Sequence, residues 1–432
     1  MKPRSLLSRE STAAAGVCDP TLWPDIAVTP NAPLRGRAAE AATRWLARRI
    51  PLVFYLPDGS TLGSKEGNVA SITIHRPTAF FRRVGKAGLI GLGESYQAGD
   101  WEASDLADAL TALAESLDRV APKWLRSLRR LGRNQRANQD ANTITGSRMN
   151  IQRHYDLSNQ MFALLLDDTM TYSCALFDTE ANGQSADVES MLTSAQIRKI
   201  DRILDLTGVE PGTSLLEIGT GWGELAIRAA RRGAKVHTIS ISAEQHALAK
   251  QRIAAAGLTD RIHAELRDYR ELATDGTDHR YTAIVSVEMI EAVGETFWPA
   301  YFEIVDRHLA PGGKVGIQVI TMREDRFQTA RRTYSWTNKY IFPGGLVPSV
   351  AAIERVLRKH TTLSILDRHA FGDHYAMTLS LWRAHLAEHA NEIELLGFDR
   401  TFHRTWKLYL ASCEAGFRSG YLDVHQFQIG RS

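Results

Sequence analysis

A chain of 432 residues, 44% hydrophobic and 23% charged, has the composition of a soluble globular protein and the length of two domains. No apolar run approaches the ~20 residues a membrane span needs, and the N-terminus lacks the apolar stretch of a secretory signal. Three well-separated cysteines, Cys18, Cys174 and Cys413, make neither a zinc spacing nor a disulfide framework and suit a reducing cytoplasm. His75, His246 and His360 read as surface or packed residues, and no metal is expected. Net charge is only +3 but uneven: +7 over residues 1–150 and −4 over residues 151–432. The N-terminal part is therefore the one suited to an anionic partner.

Residues 1–35, rich in Pro, Ala, Ser and Thr, read as a flexible tail. A helix over 36–50, then a strand from Leu52 to Leu56, a Pro57-Asp58-Gly59-Ser60 turn and a strand from Ser71 to His75 predict a small α+β domain over 36–120. It closes with an amphipathic helix from Asp105 to Val120. Residues 121–150 form a basic connector, in which Lys123, Arg126, Arg129, Arg130, Arg133 and Arg136 flank Trp124, Leu125, Leu128 and Leu131. This pattern suits a helix lying on an anionic lipid surface, and equally a helix whose apolar line packs on its neighbour. No nucleic-acid recognition motif accompanies the charge.

From about residue 195 helices and strands alternate: strands at Ser214–Ile218, Lys235–Ile241, Ile262–Leu266, Tyr281–Val287 and Lys314–Ile320, with a Pro311-Gly312-Gly313 turn before the last. Alternation predicts a doubly wound, mainly parallel α/β sheet with its ligand at the carboxyl ends of the strands. The first strand runs into Glu217-Ile218-Gly219-Thr220-Gly221-Trp222-Gly223. Three glycines at alternate positions allow a sharp turn and close approach of a ligand. The G-x-G-x-G spacing differs from the dinucleotide pattern and matches the turn with which methyltransferases bind S-adenosylmethionine. Ser240 and Gln245 bound the stretch that ends the second strand and opens a helix, where they read as holders of ribose or methionine and as parts of a helix cap. Asp268 and Tyr269 follow the third strand and could meet an adenine amino group. Glu288 and Glu291 follow the fourth; Glu291 is the site candidate, while Glu288 reads equally as a surface acid.

Taken together, HYDLSN, MTYSCA, LLEIGTGWGELA, SISAEQ, DYREL, VEMIEAVG and KYIFPGGLVPS, in this order between residues 154 and 349, resemble the cyclopropane-fatty-acyl-phospholipid synthase family, which includes the mycolic acid methyltransferases. The likeness covers about residues 150–385. VSVEMIEAVG, IQVITM and the tail Ala415 to Val424 are most similar to the actinobacterial enzymes of the tuberculostearic (10-methylstearic) acid route. The resemblance implies a Rossmann-like class I S-adenosylmethionine methyltransferase domain over 151–432, in which Tyr155, Thr171, Tyr172 and Ser173 join the glycine turn in holding the cofactor. It implies an acyl-site insertion near 322–348, with Tyr334, Trp336, Tyr340 and Phe342 along an acyl tunnel; an ordinary packed subdomain would look the same. It also implies a bound bicarbonate as base, held by the Cys174 backbone, Glu291, Tyr375 and the position of Gln318. Gln318 departs from a family histidine: glutamine can donate to an anion but cannot be cationic. Thr220 departs from a common cysteine.

An isolated alkene is a weak nucleophile, so the sulfonium methyl must supply the electrophile and the site must exclude water, stabilise a carbocation and place a base. Proton loss from the new methyl closes a cyclopropane ring. A hydride shift followed by proton loss beside the moved cation gives an exocyclic methylene. Gln318 and the subgroup likeness favour the methylene, made on an oleoyl-type phospholipid chain at the inner membrane face. A separate flavin- or NADPH-dependent reductase would complete the methyl branch, and a homodimer is allowed. The alternatives are a cyclopropane synthase, a methyltransferase of small molecules or bases, and a non-catalytic lipid-binding protein.

Overall fold

The computed structural model describes residues 18–63, 70–120, 158–178, 188–273 and 279–431. The basic connector 121–150, Tyr155 and residues 1–17 of the expected tail lie outside them. The chain divides into two compact units, each assembled from separate stretches.

Unit 1 comprises Met1–Asn134, Arg332–Tyr340 and Leu386–Ser419. The expected boundary near 150 thus misses two late segments that return to the N-terminal fold. Its sheet has the order β2-β1-β3-β4, formed by Leu52–Tyr55 (β1), Thr61–Leu62 (β2), Ala70–Ile74 (β3) and Trp101–Ala103 (β4). Asp58 shapes the β1–β2 turn by accepting from the Ser60 N–H at 2.9 Å and its hydroxyl at 2.6 Å, with Gly59 at φ 79°. Residues 18–35 are not a loose tail. Ile26 is buried, and Arg83 donates to the Asp25, Ile26 and Val28 carbonyls while its Nε reaches Asp100 at 3.1 Å. A guanidinium, which only donates, is suited to tie down such a strap. Helix Arg400–Arg418 belongs here because its buried face, with Phe402, Trp406 and Tyr409, needs a partner. Its Arg404 donates to the Tyr96 and Trp101 carbonyls.

Unit 2 comprises Gln135–Arg331, Ile341–His385 and Gly420–Ser432. Its seven strands are Ser214–Ile218 (β5), Lys235–Ser240 (β6), Ile262–Leu266 (β7), Tyr281–Val287 (β8), Leu309–Met322 (β9), Leu363–Ala370 (β10) and Leu422–Arg431 (β11), in the order β10-β11-β9-β8-β5-β6-β7. The five strands from β9 to β7 run parallel, and β11 and β10 add two antiparallel pairings at one side. Strand residues alternate between two cores: Leu216, Ile218 and Ile284 join Trp298 and Phe302, while Leu215, Ala283 and Val285 join Ile203 and Ala226. This is the period of two expected of a sheet covered on both faces. Pro311-Gly312-Gly313 is a bulge rather than a turn before β9. Tyr281 pairs with Leu309 and Ala283 with Lys314, so extra residues loop out where Pro cannot donate. The chain order reverses between β5 and β8, which opens a crevice at their carboxyl ends.

Among the described residues no helix is long and apolar enough to cross a membrane.

Candidate active site

The crevice is a cleft lined by the glycine turn, the Met170–Ser173 loop, the ends of β6 and β8, and Phe342 to Gly345. In the turn Gly219, Gly221 and Gly223 have φ of 103°, 52° and 92°. The first two line the cleft; Gly223 does not, and instead caps helix Glu224–Arg231, where an added Cβ would stand 3.3 Å from the Ala249 Cβ. Its glycine serves the backbone conformation and helix packing rather than contact with a cofactor. Beneath the turn, Thr238 donates to Glu217 at 2.6 Å and bonds Thr220 at 2.7 Å. Thr220 therefore completes a hydroxyl chain that ends on Glu217. Burial pushes the Glu217 carboxyl up to about 8, against the Thr238 hydrogen bond.

Ser240, Gln245, Asp268 and Tyr269 also reach the cleft. Ser242 caps helix Ala243–Ala255 by accepting from the Gln245 N–H, so capping and cleft lining coexist. Asp268 accepts from Arg270 Nε at 2.8 Å, which binds its carboxylate to a neighbour before any ligand arrives. Trp222 is buried and donates to Asn159 at 2.8 Å; Tyr172 stacks on Trp382 at 5.0 Å. Helix Val188–Leu206 supports the Met170–Ser173 loop: Gln196 donates to the Thr171 and Ser173 carbonyls, and Lys199 Nζ reaches the Ser173 hydroxyl at 2.5 Å. Burial lowers Lys199 to about 8.

The expected tunnel residues separate. Phe342 lines the cleft. Trp336 and Tyr340 belong to unit 1, where Trp336 Nε1 donates to Gln97 and the Tyr340 hydroxyl to Glu94 at 2.9 Å each; Tyr334 lies in the same segment. The polar atoms of Trp336 and Tyr340 thus have partners within unit 1, as an amphipathic ring requires when buried.

Cys174, Gln318 and Tyr375 do converge, but on Glu288. The Cys174 N–H donates to Glu288 Oε1 at 2.9 Å, Gln318 Nε2 to the same oxygen at 2.8 Å, and the Tyr375 hydroxyl to Oε2 at 2.5 Å. Glu288 is thus a wall of the site and no surface acid. Burial raises its carboxyl, opposed by Tyr375, Cys174, Gln318 and the Lys199 charge. Glu291 stands differently. Its Oε1 accepts from the Ile320 N–H, its Oε2 is buried without a hydrogen bond, and burial followed by the Glu288 charge pushes it up to about 8. The two neighbouring carboxyls thus differ in their surroundings: three donors meet Glu288, whereas Glu291 has one backbone N–H. The donors that would hold a bicarbonate are spent on Glu288, whose charge would repel a second anion; the residues present do not fit that ion. The Cys174 thiol is buried, donates to the Ala175 carbonyl and is raised well above its ordinary value, the opposite of an activated nucleophile.

Gln318 owes its orientation to a relay. Arg202 donates to Gln426 Oε1 at 2.6 Å, Gln426 Nε2 to Gln318 Oε1 at 3.0 Å, and Gln318 Nε2 then faces Glu288. A guanidinium offers only donors, so it fixes both amides. Arg202→Met is expected to lower kcat about tenfold with S-adenosylhomocysteine affinity unchanged, on the scale of one misdirected hydrogen bond to a charge. Arg202→Lys should recover part of the loss, and steady-state kinetics with calorimetry would show both. Among the described residues His237, His263 and Glu265 also group ligand atoms. The two ring nitrogens of His237 already bond Tyr281 and Glu265.

A doubly wound sheet with this strand order, glycine turn and switch-point cleft defines a class I S-adenosylmethionine-dependent methyltransferase. The chain belongs to the mycolic acid cyclopropane synthetase family, whose model matches residues 143–427. It is 46% identical over 424 residues to the tuberculostearic acid methyltransferase UfaA1 of Mycobacterium tuberculosis, covering 98% of each chain. The cyclopropane-fatty-acyl-phospholipid synthase of Escherichia coli is 33% identical over 367 residues, covering 84% of this chain and 88% of that one. Among solved structures, the mycolic acid cyclopropane synthase CmaA1 complexed with S-adenosylhomocysteine (SAH) and CTAB superposes with a TM-score of 0.57 at 29% identity, over 65% of this chain and 97% of that one.

Proposed function

We propose that this enzyme transfers the methyl of S-adenosylmethionine to the double bond of an oleoyl-type acyl chain carried by a phospholipid, and releases a 10-methylene product. What carries the reading is a carboxylate at the cofactor cleft whose three hydrogen-bond neighbours all donate, in a chain 46% identical end to end to a tuberculostearic acid methyltransferase. The bound sulfonium supplies an electrophilic methyl. The alkene π pair forms the new C–C bond while the S–C pair leaves with sulfur, and a cation remains on the acyl chain. The aromatic faces of Tyr172, Trp222 and Phe342 border the cleft and attract that cation while keeping water out. A hydride shift moves the charge to the methyl-bearing carbon, and loss of a methyl proton leaves the exocyclic methylene.

Reduction of this methylene to a methyl branch needs two electrons and two protons, which calls for a flavin- or nicotinamide-dependent partner. The positive balance of residues 1–150 supports peripheral attachment to an anionic membrane face. Mass spectrometry of lipids from a host rich in oleoyl phospholipid tests the proposal. Methylene and cyclopropane products have equal mass, so chromatography against both standards decides. A methylene peak is expected. A ring peak alone would make the enzyme a cyclopropane synthase, and the absence of both products would end the lipid reading.

A further inference from the structure

We infer that Glu288 is this enzyme's own base: its carboxylate fills the place among Cys174, Gln318 and Tyr375 where a bicarbonate ion would sit, and makes the reaction independent of that ion. The inference rests on the lipid-methylation reading above.

Three observations carry it. The first is convergence: a loop (Cys174), a strand (Gln318) and a helix (Tyr375) each aim a donor at one carboxylate, at 2.9, 2.8 and 2.5 Å. Donors from three elements that meet on one side chain make a place suited to holding a carboxylate. The second is backbone conformation. Glu288 sits at φ 48°, in the left-handed region that a side-chain-bearing residue seldom adopts. Such a residue persists where its side chain has a task, since glycine would relieve the conformation. The third is access. Glu288 is among the residues that line the cleft, whereas its buried partners Cys174, Gln318 and Tyr375 are not.

The geometry also assigns the oxygen. Oε1 accepts two hydrogen bonds and has both lone pairs engaged; Oε2 accepts one, from Tyr375, and keeps a pair free. In the final step a C–H bond of the new methyl breaks and its electron pair becomes the C=C bond. The proton passes to Glu288 Oε2, and the neutral acid returns it to water after product leaves. Positive charge on the lipid and negative charge on the carboxylate cancel together, so no further reactant is needed.

The test compares wild type, Glu288→Gly and Glu288→Gln in buffer freed of carbon dioxide and in the same buffer with 10–20 mM bicarbonate, a range chosen to be on the order of a weak anion site's affinity. Glycine suits the φ at this position, and unchanged SAH binding by calorimetry would show that the cleft is intact. Wild-type turnover is expected to be equal, within twofold, in both buffers. Both variants should lose at least 100-fold without bicarbonate, and Glu288→Gly should regain part of it when the ion is added. Wild-type activity that collapses without bicarbonate and returns with it would overturn the inference, as would a Glu288→Gly enzyme that stays active without the ion. A second arm needs no lipid: carbon-13 NMR of labelled bicarbonate should show binding to Glu288→Gly and none to wild type. Equal binding to both overturns the inference even if the lipid assignment is itself wrong; a wild type that yields no lipid product, with the NMR difference present, refutes only the lipid assignment.

Discussion

Gly219→Val is expected to weaken SAH binding by at least about 100-fold while the protein still folds. Gly219 has φ 103°, beyond the small left-handed region and closed to a β-branched residue. Its N–H bonds the Ile239 carbonyl at 3.0 Å, so the turn cannot rotate to relieve the strain without releasing β6. The strain is on the order of 1–3 kcal/mol, and the added Cβ would stand 3.6 Å from the Met289 side chain, which lines the same cleft. Gly221→Ala, at φ 52°, should cost much less, because that angle lies within the left-handed basin. Calorimetric titration of both variants decides. Affinity of Gly219→Val within threefold of wild type would mean that the turn does not cradle the cofactor.

A second large effect concerns pH. Glu217 and Glu291 are both pushed up to about 8 by burial, from 4.5 in an unfolded chain. Between these values the folded protein binds more protons than the unfolded one, so unfolding releases protons and stability falls as pH rises. The stabilisation is fully present below about 4.5 and is lost as pH rises through about 8. Each carboxyl contributes a slope of up to about 1.4 kcal/mol per pH unit in that window. Urea denaturation without cofactor at pH 5.5, 6.5 and 7.5 should therefore show decreasing stability. Glu217→Gln and Glu291→Gln should each flatten the slope by up to one proton. Slopes identical to wild type in both variants would mean that these carboxyls are ionised in the folded protein.

Much of the catalytic sheet was legible from residue order. The strands Ser214–Ile218 and Tyr281–Val287 fall where apolar runs and flanking polar residues put them, because a strand buried on both faces has few alternatives. The antiparallel side was not. β11 reads LDVHQFQIGR, a mixture of polar and apolar residues whose pairing with β9 depends on contacts distant in sequence. Trp336 and Tyr340 were open to two readings for a related reason. An aromatic cluster near a family insertion looks alike whether it lines a tunnel or fills a core, and only the Gln97 and Glu94 partners distinguish the two. Glu288 carried no local signal beyond a charge at a strand end. Its meaning lies in three donors separated from it by between 30 and 114 residues.

The position of β11 has a consequence for biosynthesis. The chain leaves the catalytic unit at residue 385, builds Leu386–Ser419 into the other unit, and only then supplies the strand that lies between β9 and β10. That strand carries Gln426, through which Arg202 orients Gln318. A nascent chain emerging from the ribosome therefore displays β9 with an unpaired edge until residues 422–431 are made, and such an edge invites pairing with another chain. The catalytic sheet therefore cannot close until β11 has been made. Premature termination anywhere before β11 should yield insoluble protein, not a smaller active methyltransferase.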